Sequence, residues 1–66
     1  MKRWLVEIFN SKAKCIGIGK FSSLSRAMES AQGILCEGRH ARITNRITNK
    51  LKMRYWYDKG LQYISY

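Results

Sequence analysis

The chain has 66 residues, 45% hydrophobic and 26% charged, with no proline and a formal net charge of +9. That length allows one domain near the lower limit of what folds without disulfides or metal, so the core must be a single contact such as one helix on one sheet. The composition is too apolar for a disordered chain, and no window approaches the length needed to cross a bilayer.

Met1, Lys2 and Arg3 lead into WLVEIFN, whose apolar run is broken early by Glu7, so no signal peptide is expected and a cytoplasmic chain is the working assumption. Residues 3–9 alternate Trp4, Val6 and Ile8 against Leu5, Glu7 and Phe9, which is the period of a strand. Asn10, Ser11 and Lys12 read as a turn, followed by a second strand in KCIGIGKF. A three-residue loop sets Val6 opposite Ile16 and Trp4 opposite Ile18, which puts Gly17 and Gly19 on the other face. The same segment falls short of a phosphate-binding loop, because Lys14 stands where the first glycine belongs and Phe21 where the Ser or Thr belongs.

Ser22 or Ser23 can cap a helix in LSRAMESAQGILCEG, where Leu24, Ala27, Met28, Ala31, Ile34 and Leu35 recur at helical spacing. Gly38 stands where a left-handed C-cap is wanted, and Gly33 weakens the helix by about 1 kcal/mol relative to alanine.

Beyond Gly38 the periodicity changes, and residues 41–57 are rich in Ile, Thr, Tyr and Trp, which favours strands. The repeat RITNRITNKLKMR places cations at 42, 46, 50 and 54. With Thr48, Asn49 and Lys50 as a hairpin loop, Ile47 pairs with Leu51, Asn45 with Met53 and Ile43 with Tyr55, and Asn49 supplies a positive φ. In that register Arg42 and Arg46 share one strand, while Lys52 and Arg54 return on the next. A longer loop from Asn45 to Asn49 is the competing register and leaves Ile47 at the tip; the shorter loop is preferred because it keeps the apolar face whole. Asp58, Lys59 and Gly60 form another connection into a last strand, LQYISY.

The predicted fold is α+β: an antiparallel sheet of four to five strands with one helix packed on one face, in the order β-β-α-β-β-β, as a single domain over residues 1–66. The helix-facing set is Val6, Ile8, Ile16, Ile18, Ile43, Ile47, Leu51, Met53, Tyr55 and Leu61. The outer face of the C-terminal strands then carries Arg42, Thr44, Arg46, Lys52, Arg54, Trp56, Gln62, Ile64 and Tyr66.

Charge sharpens the reading of that face. The excess is +3 over residues 1–38 and +6 over residues 39–66, the footprint of contact with nucleic acid or another acidic surface. Arg42, Arg46, Lys52 and Arg54 supply cations for phosphates, and Trp56 and Tyr66 supply rings for bases, each stacked base being worth about 1 to 3 kcal/mol. Ordinary packing, or burial against a second copy of the chain, is the competing role for those rings.

Catalysis is not expected. Glu7, Glu29, Glu37 and Asp58 are scattered, and His40 is alone, read as capping the helix exit or solvated. Cys15, Cys36 and His40 lack the paired spacing of a metal site, and the two cysteines read as reduced, partly buried thiols. No cofactor is called for.

A strand pair, a helix opening on S-L-x-x-A (Ser23, Leu24, Ala27), an A-R-I strand (Ala41, Arg42, Ile43) and a Y-x-K-G turn (Tyr57, Lys59, Gly60) together resemble small proteins encoded by phages and mobile elements. The layout is similar to some anti-CRISPR inhibitors of type I surveillance complexes and, more loosely, to phage inhibitors of bacterial RNA polymerase. Many such inhibitors are acidic DNA mimics, which a chain at +9 cannot be. The resemblance therefore implies a stoichiometric inhibitor in the host cytoplasm whose basic face blocks a nucleoprotein complex. A small basic DNA- or RNA-binding module is the main alternative, and a structural homodimer subunit is the third.

Overall fold

The computed structural model describes residues 2–34 and 38–65 and comprises β1 (Trp4–Phe9), β2 (Cys15–Phe21), α1 (Leu24–Ile34), β3 (His40–Asn45), β4 (Lys50–Asp58) and β5 (Leu61–Ser65). The five strands form one sheet in the order β2-β1-β3-β4-β5, every neighbouring pair antiparallel. The fold is thus α+β with one helix, as the element pattern predicts. Strands β2 and β3 run the same way with β1 between them, so the chain must cross over β1, and α1 makes that crossing while packing on β1, β2 and β3.

The backbone N–H of Ala27 donates to the carbonyl of Ser23, which places Ser23 at the helix N-cap as its sequence position suggests. Ala27 and Ala31 bring the helix close to the sheet, where they meet Val6, Ile8, Ala41, Ile43, Met53 and Tyr55 in the buried core. Trp4, Phe21, Leu24 and Met28 close its margins. Gly38 has φ +83°, the left-handed region that its predicted capping role requires, but Leu35, Cys36 and Glu37, and with them the junction to the helix, lie outside the described residues.

All three hairpin registers differ from the expected ones, each for a local reason. Asn10 organises the first loop: its Oδ1 accepts from the N–H groups of Lys12 at 2.9 Å and Lys14 at 3.0 Å, and its N–H donates to the Lys14 carbonyl. The loop is therefore longer than Asn10–Lys12, and a bulge at Ile16 follows, so Val6 pairs with Gly19 and Ile8 with Gly17. The glycines face the helix, not the outer side, and Ile16 and Ile18 are exposed instead of core. Cys15, expected partly buried, is exposed.

Asn45 does the same for the second hairpin. Its Oδ1 accepts from Ile47 at 2.9 Å and its carbonyl accepts from Asn49 at 2.7 Å, while Asn49 takes the expected positive φ of 58°. This closes the longer loop on an Asn45–Lys50 pair, the competing register and not the preferred one, and leaves Ile47 exposed at the tip. A bulge at Lys52 then restores the phase: Met53 pairs with the buried Ile43, whereas Leu51 opposes Thr44 on the outer face. In the third hairpin Lys59 and Gly60 have φ of 53° and 78°, the pair of positive values that a two-residue turn of the primed type needs. Asp58 is thus a strand residue opposite Leu61, which is exposed and not core as expected.

Candidate nucleic-acid interface

With α1 on one side, no described residue covers the other face of the sheet, and the registers decide what it shows. One cross-strand row runs Glu7, Arg42, Arg54 and Ser65 over β1, β3, β4 and β5. The next runs Phe9, His40, Trp56 and Tyr63 over the same four strands, a line of four rings. Directly opposed side chains on one sheet face interact, so each row is a contiguous strip.

The rings form two stacked pairs. Phe9 and His40 have centroids 4.9 Å apart and planes 13° from parallel; Trp56 and Tyr63 are 5.5 Å apart at 12°. Such pairs add about 0.5–1.5 kcal/mol beyond the area they bury, so part of the row's role is to hold the strands together. His40 is accordingly neither a helix cap nor merely solvated. Trp56 and Tyr63 stay exposed on this uncovered face, with ring surface open to a partner.

The two arginines are not equivalent. Arg42 donates from Nη2 to Glu7 Oε1 at 3.1 Å, and its guanidinium lies 5.3 Å from the Phe9 centroid. Its Nε is buried with no hydrogen-bond partner among the described residues, an unpaired donor of the kind that costs about 1–3 kcal/mol. Arg54 is exposed, sits directly opposite Arg42, and has no acidic side chain beside it in its row except through Arg42. Like charges in directly opposed positions repel, and Glu7 relieves only the Arg42 side.

Two shallow hollows flank the His40 ring. One, about 220 Å³, is lined by Phe9, Ala13, His40, Arg42 and Arg54; the other, about 290 Å³, by His40, Arg54, Tyr55 and Trp56. The side chain of Tyr55 is buried in the core on the opposite face, so its strand forms the floor of the second hollow.

Of the binding residues expected from sequence, Arg42, Arg54 and Trp56 come together on this face. Arg46 does not: it lies in the β3–β4 loop, where its Nη1 donates to the Lys2 carbonyl at 2.8 Å and its N–H to the Arg3 carbonyl. Lys52 occupies the bulge, and Tyr66 lies outside the described residues. Gln62 and Ile64, expected on the outer face, pair with Tyr57 and Tyr55 and so belong to the helix side. Phe9, His40 and Tyr63 are the residues that sequence reasoning missed. The positive φ at both Lys59 and Gly60 is the missing signal for Tyr63: a two-residue turn places it opposite Trp56, whereas a three-residue turn does not.

Among the described residues no helix is long and apolar enough to cross a membrane, and no cluster of three or more His, Cys, Asp or Glu side chains is placed to hold a metal ion. The fold and face define the chain as a small α+β protein with a basic, ring-lined open sheet. No protein-family model, curated protein or solved structure matches it.

Proposed function

We propose that the protein is a non-enzymatic binding protein that takes unpaired nucleic acid on its uncovered sheet face. The observation that carries this reading is the ring row Phe9–His40–Trp56–Tyr63 lying beside the Arg42–Arg54 row. Cations that meet phosphates next to rings that meet bases are the two components of single-strand binding. An open face five strands wide does not fit a duplex groove, which admits a helix or a two-stranded ribbon, and paired bases keep their faces stacked. The net charge of +9 supplies the long-range attraction.

The narrower form of the proposal is an inhibitor resembling small anti-CRISPR proteins, in which the same face covers the guide or target strand of a host complex. It is supported by the layout alone. In either form the protein needs no cofactor and acts by occupancy.

The test is titration of a labelled single-stranded oligonucleotide, and of its duplex, at two salt concentrations. Tighter binding to the single strand, with a steep loss of affinity as salt rises, is the expected result. Absence of binding at low salt, or equal affinity for the duplex, would overturn the reading. For the inhibitor form, wild type should retain a nucleoprotein complex from a bacterial lysate and Arg54→Glu should not.

A further inference from the structure

We infer that the two hollows beside His40 hold one nucleotide as a unit, its phosphate between Arg42 and Arg54 and its unpaired base in the slot between His40 and Trp56. This rests on the nucleic-acid reading above and specifies the site within it.

The geometry points to a division of labour. The hollow of about 220 Å³ has both guanidinium-bearing side chains on its lining, and the hollow of about 290 Å³ has two rings as walls and one arginine. They share His40 and Arg54, so a ligand spanning both meets the same arginine from its charged and its planar end. Each wall of the slot is already backed from behind: His40 by Phe9 at 4.9 Å, Trp56 by Tyr63 at 5.5 Å. The ring faces turned into the slot are the ones these partners leave free.

A base stacked on both sides needs ring planes about 7 Å apart, twice the rise of about 3.4 Å per stacked base. Neighbouring strands are only about 4.8 Å apart, so the exposed Trp56 and Tyr63 must swing away from His40 together, as the stacked pair they form, when the base enters. Stacking on Trp56 is therefore the dominant base contact, with His40 as the facing wall. An acidic peptide supplies anions but no comparable planar ring at each residue, and a second copy brings Arg54 against Arg54.

The experiment compares a short oligonucleotide with an abasic one of equal length, which keeps every phosphate and lacks the bases. The base-bearing strand should bind roughly 5- to 150-fold tighter. Trp56→Ala should remove most of that difference and leave affinity for the abasic strand unchanged. With Trp4→Phe, Trp56 becomes the sole tryptophan, and its fluorescence should be quenched by the base-bearing strand only.

Equal affinity for the two strands, or equal weakening of both by Trp56→Ala, would overturn the slot while leaving the nucleic-acid reading in place. Failure of both strands to bind at low salt would overturn the two together. The abasic comparison uses the unmodified protein, so it decides the matter even where a variant does not fold.

Discussion

The pairing of Glu7 with Arg42 allows the electrostatic part of the proposed interface to be tuned in both directions. Each phosphate neutralised on a single strand contributes about 0.7 to the slope of log affinity against log salt. Arg54→Gln removes one cation that no acid among the described residues offsets, so the slope should become shallower by about 0.7 and the affinity lost over a tenfold rise in salt should shrink about fivefold. Glu7→Gln acts the other way: it keeps an oxygen for Arg42 Nη2 at the present 3.1 Å but removes the charge that competes with phosphate. The slope should then steepen by about 0.7, with tighter binding at low salt. The cost in stability is small, about 0.5 kcal/mol, because the two side chains are 43% and 20% exposed and solvent screens the pair. The assay is fluorescence anisotropy of a labelled oligonucleotide at four or more salt concentrations, with circular dichroism to confirm folding. The double variant should return to the wild-type slope. If Glu7→Gln leaves the slope unchanged while Arg54→Gln alters it, Arg42 is a structural arginine only; if neither alters it, the uncovered face is not where phosphate binds.

Three further outcomes test the fold that positions this face. Ile43→Ala, at a residue with no exposure, should cost about 2–5 kcal/mol in urea unfolding, whereas Ile18→Ala, 67% exposed, should stay within about 0.5 kcal/mol; equal losses would refute the β1–β2 register. A Cβ added at Gly19 would lie 2.9 Å from Cε2 of Phe21, so Gly19→Ala should lose about 1–3 kcal/mol as that ring shifts, while Gly17→Ala, 3.8 Å from Ile8 Cβ, should be neutral or slightly stabilising; Tm values of the two compared with wild type decide it. Asn45→Ala removes the acceptor for Ile47 at 2.9 Å and Thr48 at 3.4 Å and should cost about 1 kcal/mol by chemical denaturation, with faster amide exchange confined to the loop.

Elements were legible in the sequence because they rest on periodicity and caps: Val6 and Ile8 alternate, Ala27 and Ala31 recur on one helical face, and both pairs are buried. Registers were not, because two depend on a side chain that competes with the alternation and the third on the positive φ pair at Lys59 and Gly60. Asn10 and Asn45 gather backbone N–H groups and lengthen their loops, and the bulges at Ile16 and Lys52 reset the phase afterwards. A one-residue slip moves a whole strand to the other face, so simple alternation points Ile16, Ile18, Leu51 and Leu61 at the core, whereas all four are exposed. The alternation and the structure put Arg42, Arg54 and Trp56 on the same sheet face because Arg42 precedes the β3–β4 loop and bulge, while Arg54 and Trp56 follow both, so the two slips cancel between them. Tyr66 stood in for Tyr63 through the third slip, at Lys59–Gly60. The ring row was invisible because its members lie on four strands, and only the registers align them.

The registers also bear on whether two copies of this chain would cover the face for each other. A standard interface buries about 800 Å² per partner, roughly a sixth of the 4626 Å² that this chain exposes. Packing the uncovered faces about a two-fold axis would set Arg42 and Arg54 of one copy against the same pair of the other, with Glu7 the one acid in each row to offset them. Each unpaired guanidinium buried this way loses hydration with no compensating partner, and two chains at +9 repel before they meet. The exposed Trp56 and Tyr63 cannot offset this, since their stacked pair already covers one ring face of each. Sedimentation equilibrium in 0.15 M salt should therefore give a single species of 7.8 kDa. A dimer that Trp56→Ala dissociates would refute the reasoning and return the ring row to the role of a subunit contact. A dimer indifferent to Trp56→Ala and Arg54→Glu would have to use another surface and would leave this face free.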